Sequence, residues 1–220
     1  IPARRSTNKQ DEFLSRPRFL AISEFGPRNI IYHEGVKYSI IKAILPVNRG
    51  DDGTLPLTAV KICSECGCFH HINDDFLADN CVHCGAELDA SINNLLRLQN
   101  VSTKRRERIN SDEEERTKMG YDLITTYRFT EIQGQRMIKN AVINTEEDKF
   151  KLTYGHTAEL WRINLGWKRR RFDGFIIDTE RGYWARNEND DTENDDGVRL
   201  GNHVQRVIPY VTDQRNCLLV

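Results

Sequence analysis

The sequence predicts a β-rich α+β fold: an antiparallel sheet or small barrel into which a four-cysteine unit is inserted, with a few short helices. Runs of β-branched and aromatic residues recur between Gly, Asn, Asp or charged turns along most of the 220 residues, the pattern of a sheet whose strands are joined locally. Helix signals are few. Two Cys-x-x-Cys-Gly motifs, Cys63-Ser-Glu-Cys66-Gly67 and Cys81-Val-His-Cys84-Gly85, interrupt the strand pattern at 63–85. Their spacing makes the inserted unit zinc-ribbon-like.

Residues 1–18 are polar, with Arg4, Arg5, Arg16 and Arg18, and read as an entering linker. The β-rich domain then occupies 19–62 and 86–220. Residues 29–45 are β-branched and aromatic on both sides of Glu34-Gly35 and predict a hairpin. Residues 46–56 hold Pro46, Gly50, Asp51, Asp52, Gly53 and Pro56 and form a turn-rich loop, after which 59–62 leads as a strand into the first cysteine pair. Beyond the second pair, 92–101 reads as a strand or a short helix. Ser111-Asp-Glu-Glu114 is a capping box, with Arg116 and Lys118 suited to the last turn and Gly120 to the stop, so a short helix is expected there. Strands are expected at 121–130, 136–144, 150–154, 159–165, 174–178 and 183–186, with a hairpin turn at 178–182. The run 188–196 carries six acids and no base, and 187–197 reads as a disordered, solvated loop. Residues 204–220 are mixed in character.

Two thiolates separated by two residues wrap a tight turn around one cation. The glycine after each pair takes the positive φ that lets backbone N–H groups point at the sulfurs. The fourteen-residue spacer 67–80 brings the second pair back, and sulfur-only tetrahedral ligation is what zinc accepts in structural sites. Cys63, Cys66, Cys81 and Cys84 are therefore the candidate metal ligands. A shell filled by four thiolates leaves no position for water or substrate, which makes the ion architectural. Two disulfides or unrelated buried thiols are the competing reading. Cys68, His70, His71 and His83 stand close enough in sequence to replace one ligand.

Charged residues make up 30% of the chain and the mean hydropathy is −0.63. No apolar run approaches the roughly 18 residues of a membrane span, and no signal peptide is visible. The chain opens Ile1-Pro2-Ala3-Arg4-Arg5 without an initiator methionine and reads as a piece of a longer polypeptide. Six cysteines with metal-type spacing point to the reducing cytoplasm. The net charge of −1 conceals a segregation: with 188–196 set aside, 27 acids face 32 bases, and the body is mildly basic.

Two clusters concentrate that positive charge. Lys104-Arg105-Arg106-Glu107-Arg108 follows the cysteine unit, and Trp167-Lys168-Arg169-Arg170-Arg171-Phe172 sets four cations between aromatic rings. Such runs neutralise phosphates, and the rings offer faces for base stacking. Arg105, Arg106, Lys168, Arg169, Arg170 and Arg171 are thus candidate DNA contacts. The competing reading is a solvated turn, or arginines paired with the acids at 112–115. No catalytic residue is assigned: Gly-x-Ser-x-Gly, a phosphate-binding loop and His-Glu-x-x-His are all missing from the sequence.

Four phrases carry a family resemblance: Arg16-Pro-Arg-Phe-Leu-Ala-Ile-Ser-Glu-Phe-Gly-Pro-Arg-Asn-Ile-Ile-Tyr-His-Glu-Gly35, Arg105-Arg-Glu-Arg-Ile-Asn-Ser-Asp-Glu-Glu-Glu-Arg116, Arg162-Ile-Asn-Leu-Gly-Trp167 and Asp213-Gln-Arg-Asn216. They resemble the C-terminal part of large bacterial DEAD/DEAH-box superfamily 2 helicases with an MrfA-type zinc-binding region, including helicases of antiviral defence systems such as DISARM. The resemblance implies an accessory region that follows two RecA-like motor domains in one polypeptide, with Cys63, Cys66, Cys81 and Cys84 as zinc ligands. It implies DNA as a partner and, in a defence system, a second subunit. ATP and Mg²⁺ would belong to the parent motor, an ATP-dependent helicase. Walker A, the acidic box and the arginine finger have no counterpart here, so this chain alone is expected not to be an enzyme. Two functions are consistent with this sequence: a zinc-stabilised accessory module that contacts DNA, and a protein-interaction module that docks a partner without touching nucleic acid. A hidden hydrolase is a third reading.

Overall fold

A computed structural model describes residues 1–6, 11–46, 54–72, 79–108, 120–144, 149–168, 170–185, 199–201 and 203–220. The elements of the first half are β1 (Pro2–Ser6), β2 (Asp11–Ser15), α1 (Arg18–Glu24), β3 (Ile30–His33), β4 (Val36–Ile44), β5 (Leu57–Ile62), β6 (Phe69–His71), β7 (Ile92–Arg97) and β8 (Asn100–Arg108). The second half adds β9 (Tyr121–Arg128), β10 (Glu131–Ile132), β11 (Gln135–Arg136), β12 (Ile138–Asn144), β13 (Lys149–Trp167), β14 (Phe175–Asp178) and β15 (Val204–Leu219). The fold is β-rich, with one short helix among the described residues. No helix among them is long and apolar enough to cross a membrane.

The chain divides into two compact units. Unit 1 comprises 1–59, 93–124 and 162–211, and unit 2 comprises 60–92, 125–161 and 212–220. Unit 2 is broader than the 63–85 insertion read from the cysteines, because strands from far along the sequence complete it.

Unit 1 is built on a five-stranded sheet in the order β2-β1-β8-β4-β3. The expected hairpin is present: β3 and β4 pair antiparallel around Glu34 and Gly35, both at positive φ (48° and 70°), as a two-residue turn matched to strand twist requires. The segment 92–101, open between strand and helix, holds β7 and the start of β8. The stretch 1–18, expected as a linker, instead carries β1 and β2, paired from Pro2↔Ser15 to Ser6↔Asp11, with β1 parallel to β8. Among the described side chains of this hairpin, Ala3 and Leu14 enter the core, while Arg4 and Phe13 are exposed. Helix α1 follows Pro17, whose carbonyl accepts from the N–H groups of Leu20 and Ala21. It buries Ala21 and Ile22 beside Phe25, Ile40, Val101, Tyr121, Ile177, Trp184 and Val207.

The turn at 178–182 also forms. Asp178 N–H donates to Tyr183 O and Gly182 N–H to Asp178 O, while Ile177 bridges Trp184. Of the strand expected at 183–186, Tyr183 and Trp184 form isolated bridges, and residue 186 lies outside the described residues. Strands expected separately at 150–154 and 159–165 are one, β13, continuous through Thr157 at φ 56°. Residues 204–220 are largely the strand β15. The helix expected at 111–120 lies almost wholly outside the described residues, as does the whole of the acidic run 187–197.

Unit 2 holds the β5–β6 pair, joined antiparallel at Val60↔His71 and Ile62↔Phe69, and the β12–β13 pair, which runs from Ile138↔Gly155 to Asn144↔Lys149. Its core gathers Cys63, Cys68, Cys81, Leu88, Tyr127, Phe129 and Ala158. Val60, Phe69 and Trp161 are also buried in this unit, and each buried aliphatic or aromatic side chain contributes about 1.5–3 kcal/mol.

Candidate metal centre

Strand β5 delivers Cys63 directly, and the two cysteine motifs then repeat one backbone pattern. In the first, Gly67 N–H donates to Cys63 O at 2.8 Å and Cys63 N–H to Cys68 O at 2.9 Å. In the second, Gly85 N–H donates to Cys81 O at 2.8 Å and Cys81 N–H to Ala86 O at 2.7 Å. The closing glycines stand at φ 74° and 82°, where a β-carbon is disfavoured. Each motif is thus a tight knuckle that turns both of its thiols to one side.

The knuckles face each other. Cys63 Sγ lies 3.5 Å from Cys84 Sγ, and Cys66 Sγ lies 3.6 Å from Cys81 Sγ. All four sulfurs fall within 4.8 Å of one another. These are free thiols, well beyond the roughly 2.05 Å of a disulfide. A tetrahedron with metal–sulfur arms of about 2.3 Å has edges of about 3.8 Å, close to the observed separations. Four cysteines in this arrangement fit a single metal ion. Cys63 and Cys81 are buried, Cys66 is half-buried and Cys84 is exposed.

The surroundings fit a charged cluster of sulfur better than four neutral thiols. His83 N–H points at Cys81 Sγ at 3.3 Å, a donor that a thiolate accepts more strongly than a thiol does. The Tyr127 hydroxyl is buried without a hydrogen-bond partner among the described residues, and it lies against Cys66. Burial, followed by the neighbouring thiols, pushes the tyrosine's pKa up, so it stays a donor. Burial likewise pushes the Cys66 thiol up. A divalent cation reverses that balance by holding the sulfurs as thiolates.

Strand β9 clamps the first knuckle from outside its sequence: the Gly67 carbonyl accepts from Thr126 Oγ1 and from Tyr127 N–H. Neither Thr126 nor Tyr127 is marked by the cysteine pattern. Their only sequence signal is a strand expected at 121–130.

The residues considered as substitute ligands fall into different places. Cys68 and His70 are buried and form, with Cys81, a second group of potential donors. Burial, then the neighbouring Cys81, pushes the Cys68 thiol up to about 12, and its Sγ contacts Phe69 O at 3.7 Å. His71 sits 3.9 Å from Glu159 and meets the rings of Phe69 and Trp161 edge-on. His83 packs its ring on Tyr127 and Phe129, and burial followed by the charges of Arg136 and Lys151 lowers its pKa.

The six candidate DNA contacts belong to unit 1. Arg105 is exposed and Arg106 half-buried on β8, Lys168 and Arg171 are exposed, and Arg169 lies outside the described residues. Arg170 is held by Asp122 at 2.9 Å and Asp173 at 2.5 Å, and Arg171 covers Phe172 with its guanidinium 5.1 Å from the ring centre. At Arg170 the run therefore has acidic partners of its own, from β9 and the following turn. The acids at 112–115, considered as partners for the arginines, lie outside the described residues.

No family model, curated protein or solved structure matches the chain.

Proposed function

We propose that the chain is a zinc-binding accessory module whose ion is structural, working within a DNA helicase or translocase. The observation that carries the zinc reading is the closed set of four thiols at tetrahedral spacing on two like-built knuckles. Zinc has no directional demand from its d-electrons and prefers four sulfurs in structural sites. Structural zinc supplies about 10–16 kcal/mol of apparent binding energy in small finger peptides, against about 5–15 kcal/mol for the stability of a whole domain. On that scale the ion is a large contributor to the cohesion of unit 2, beside its buried Val60, Phe69 and Trp161. Cys63, Cys66, Cys81 and Cys84 hold it, and Tyr127 with the His83 N–H supports the sulfurs.

The helicase context and DNA as partner rest on the sequence resemblance and on the basic segments. The ATPase chemistry belongs to a motor elsewhere in such a polypeptide. A partner-docking role is the second reading, and the exposed apolar side chains of Val142, Ile143 and Phe150 on the β12–β13 hairpin favour it.

Elemental analysis tests the metal. Purified chain should hold one zinc per molecule, and cobalt exchanged for it should show the visible bands of a tetrahedral thiolate site. Cys66→Ser and Cys81→Ser should each abolish retention of the metal after dialysis. Metal-free protein with full native stability would overturn the reading.

A further inference from the structure

Strand β6 carries a second set of metal donors. Residues two apart along an extended chain project to one face, so Cys68, just ahead of the strand, and His70 within it share a side. Phe69 and His71 take the other side, where their ring centroids lie 4.8 and 5.3 Å from that of Trp161. Pairing with β5 at Ile62↔Phe69 and Lys61↔His70 fixes the strand, and the 2.9 Å bond from Cys63 N–H to Cys68 O carries that register into the first knuckle. The second knuckle then brings Cys81 onto the Cys68 side. Cys68 Sγ, a ring nitrogen of His70 and Cys81 Sγ all lie within 4.8 Å of one another.

This group is interior: Cys68 is 2% exposed, His70 1% and Cys81 3%. It therefore favours an ion satisfied by three protein donors without added water. A trigonal ion with arms of about 2.0–2.3 Å to nitrogen and sulfur has donor–donor edges of about 3.5–4 Å, inside the observed limit. Structural zinc takes four ligands, whereas copper(I), a closed-shell ion, is content with two or three, and thiolate and imidazole both suit it. Charge points the same way. Copper(I) takes the place of the Cys68 thiol proton, which leaves to solvent, so the formal charge of the buried group does not change; a second divalent ion would alter it, and uncompensated charge is costly in an interior. The buried Tyr127 hydroxyl stands close to Cys66, Cys68 and Cys81, a donor within reach of thiolates on this side of the cluster.

We propose that Cys68, His70 and Cys81 bind one copper(I) ion, with Cys81 Sγ bridging it to the ion of the four-cysteine site. A thiolate that holds one cation keeps lone pairs for another. The way in runs over sulfur: Cys84 is exposed and Cys66 half-buried, and Cys66 Sγ lies 3.6 Å from Cys81 Sγ, so a soft ion passes from thiolate to thiolate by ligand exchange. The inference goes beyond the structural-zinc reading and rests on it at a single atom, the Cys81 sulfur. All of these residues belong to unit 2.

The test is an anaerobic titration of the zinc-loaded, full 220-residue chain with copper(I) against a competing copper(I) chelator. Both metals are counted after desalting, and X-ray absorption at the copper edge reads the donor atoms. Wild type should hold one copper while keeping its zinc, with two sulfurs and one nitrogen around the copper. Cys68→Ala should weaken copper by more than roughly 100-fold, the upper cost of an outer-shell change, and His70→Ala should remove the nitrogen from the copper shell; zinc content and circular dichroism establish that each variant is folded. Cys217→Ala, which removes a half-buried thiol outside the group, should change nothing. The wild-type measurement stands without any variant: failure to outcompete the chelator, copper that expels zinc one for one, or a copper shell of sulfur alone each overturns the site. Copper held as tightly by folded Cys68→Ala does so as well. A chain that takes up no zinc overturns the proposed function instead, and copper bound to it through Cys68 and His70 leaves this site standing.

Discussion

At the scale of single residues, Asp178 shows how one carboxylate fixes a turn. It is fully buried and accepts from the N–H groups of Glu180, Arg181 and Gly201 and from Arg181 Nε, each at 2.9 Å. Burial pulls its pKa up, but these donors outweigh it and hold the carboxyl below its ordinary value. A carboxylate depressed in the folded state adds stability above its unfolded pKa of about 4, and loses it as pH falls through the lower folded value. The Arg181 side chain is 42% exposed, so most of the effect comes from the backbone donors rather than the ion pair. Asp178→Asn should therefore cost about 2–4 kcal/mol at pH 7. In urea unfolding the gap between wild type and variant should close as pH drops from about 5 toward 2. A gap independent of pH would show that Asp178 gives nothing through its charge. Gly85 makes a simpler case. A β-carbon there meets nothing within 4 Å, so Gly85→Ala should cost only the left-handed backbone term, about 1–2 kcal/mol, with Gly85→Asn milder; a larger loss in thermal unfolding would mean that space, not φ, is limiting.

At the scale of elements, the proposed ion would join the two knuckles, and the β9 bonds to Gly67 clamp the first of them. Chelation should release β5, β6 and the 79–92 segment first. Hydrogen exchange read by mass spectrometry should show loss of protection there and across 125–161 after the metal is stripped, while β1, β4 and β8 keep theirs. Uniform loss across both units would contradict a cohesive role confined to unit 2. Elements set by neighbouring residues were readable in advance: the Glu34-Gly35 turn and the 178–182 turn both carry local φ and hydrogen-bonding signals. Elements set by distant partners were not. β15 was hidden by Pro209 in mid-strand, which ordinarily argues against a ladder position; here it stands opposite Leu96 in a parallel pair. β1 and β2 were hidden because, among their described side chains, Ala3 and Leu14 alone are buried in the core.

At the scale of the whole molecule, the same distinction separates the two candidate sites. Four cysteines packed into 63–84 announce themselves by spacing alone. Cys68 and His70 read in sequence as substitutes for one of the four, and only the β5–β6 register and the folded-back second knuckle set them with Cys81 as a group of their own. The basic runs behaved in the opposite way, since charge density read along the chain could not foresee that Arg170 meets Asp122 and Asp173.

The parallel seam between β1 and β8 also has a temporal side. Thr103 Oγ1 donates to Arg4 O across 99 positions of chain. During synthesis at about 5–20 residues per second, the first hairpin therefore waits roughly 5–20 s for the strand that covers it. Contacts of such long range slow the search for the native state, so the opening hairpin is where early self-association of nascent chains would begin.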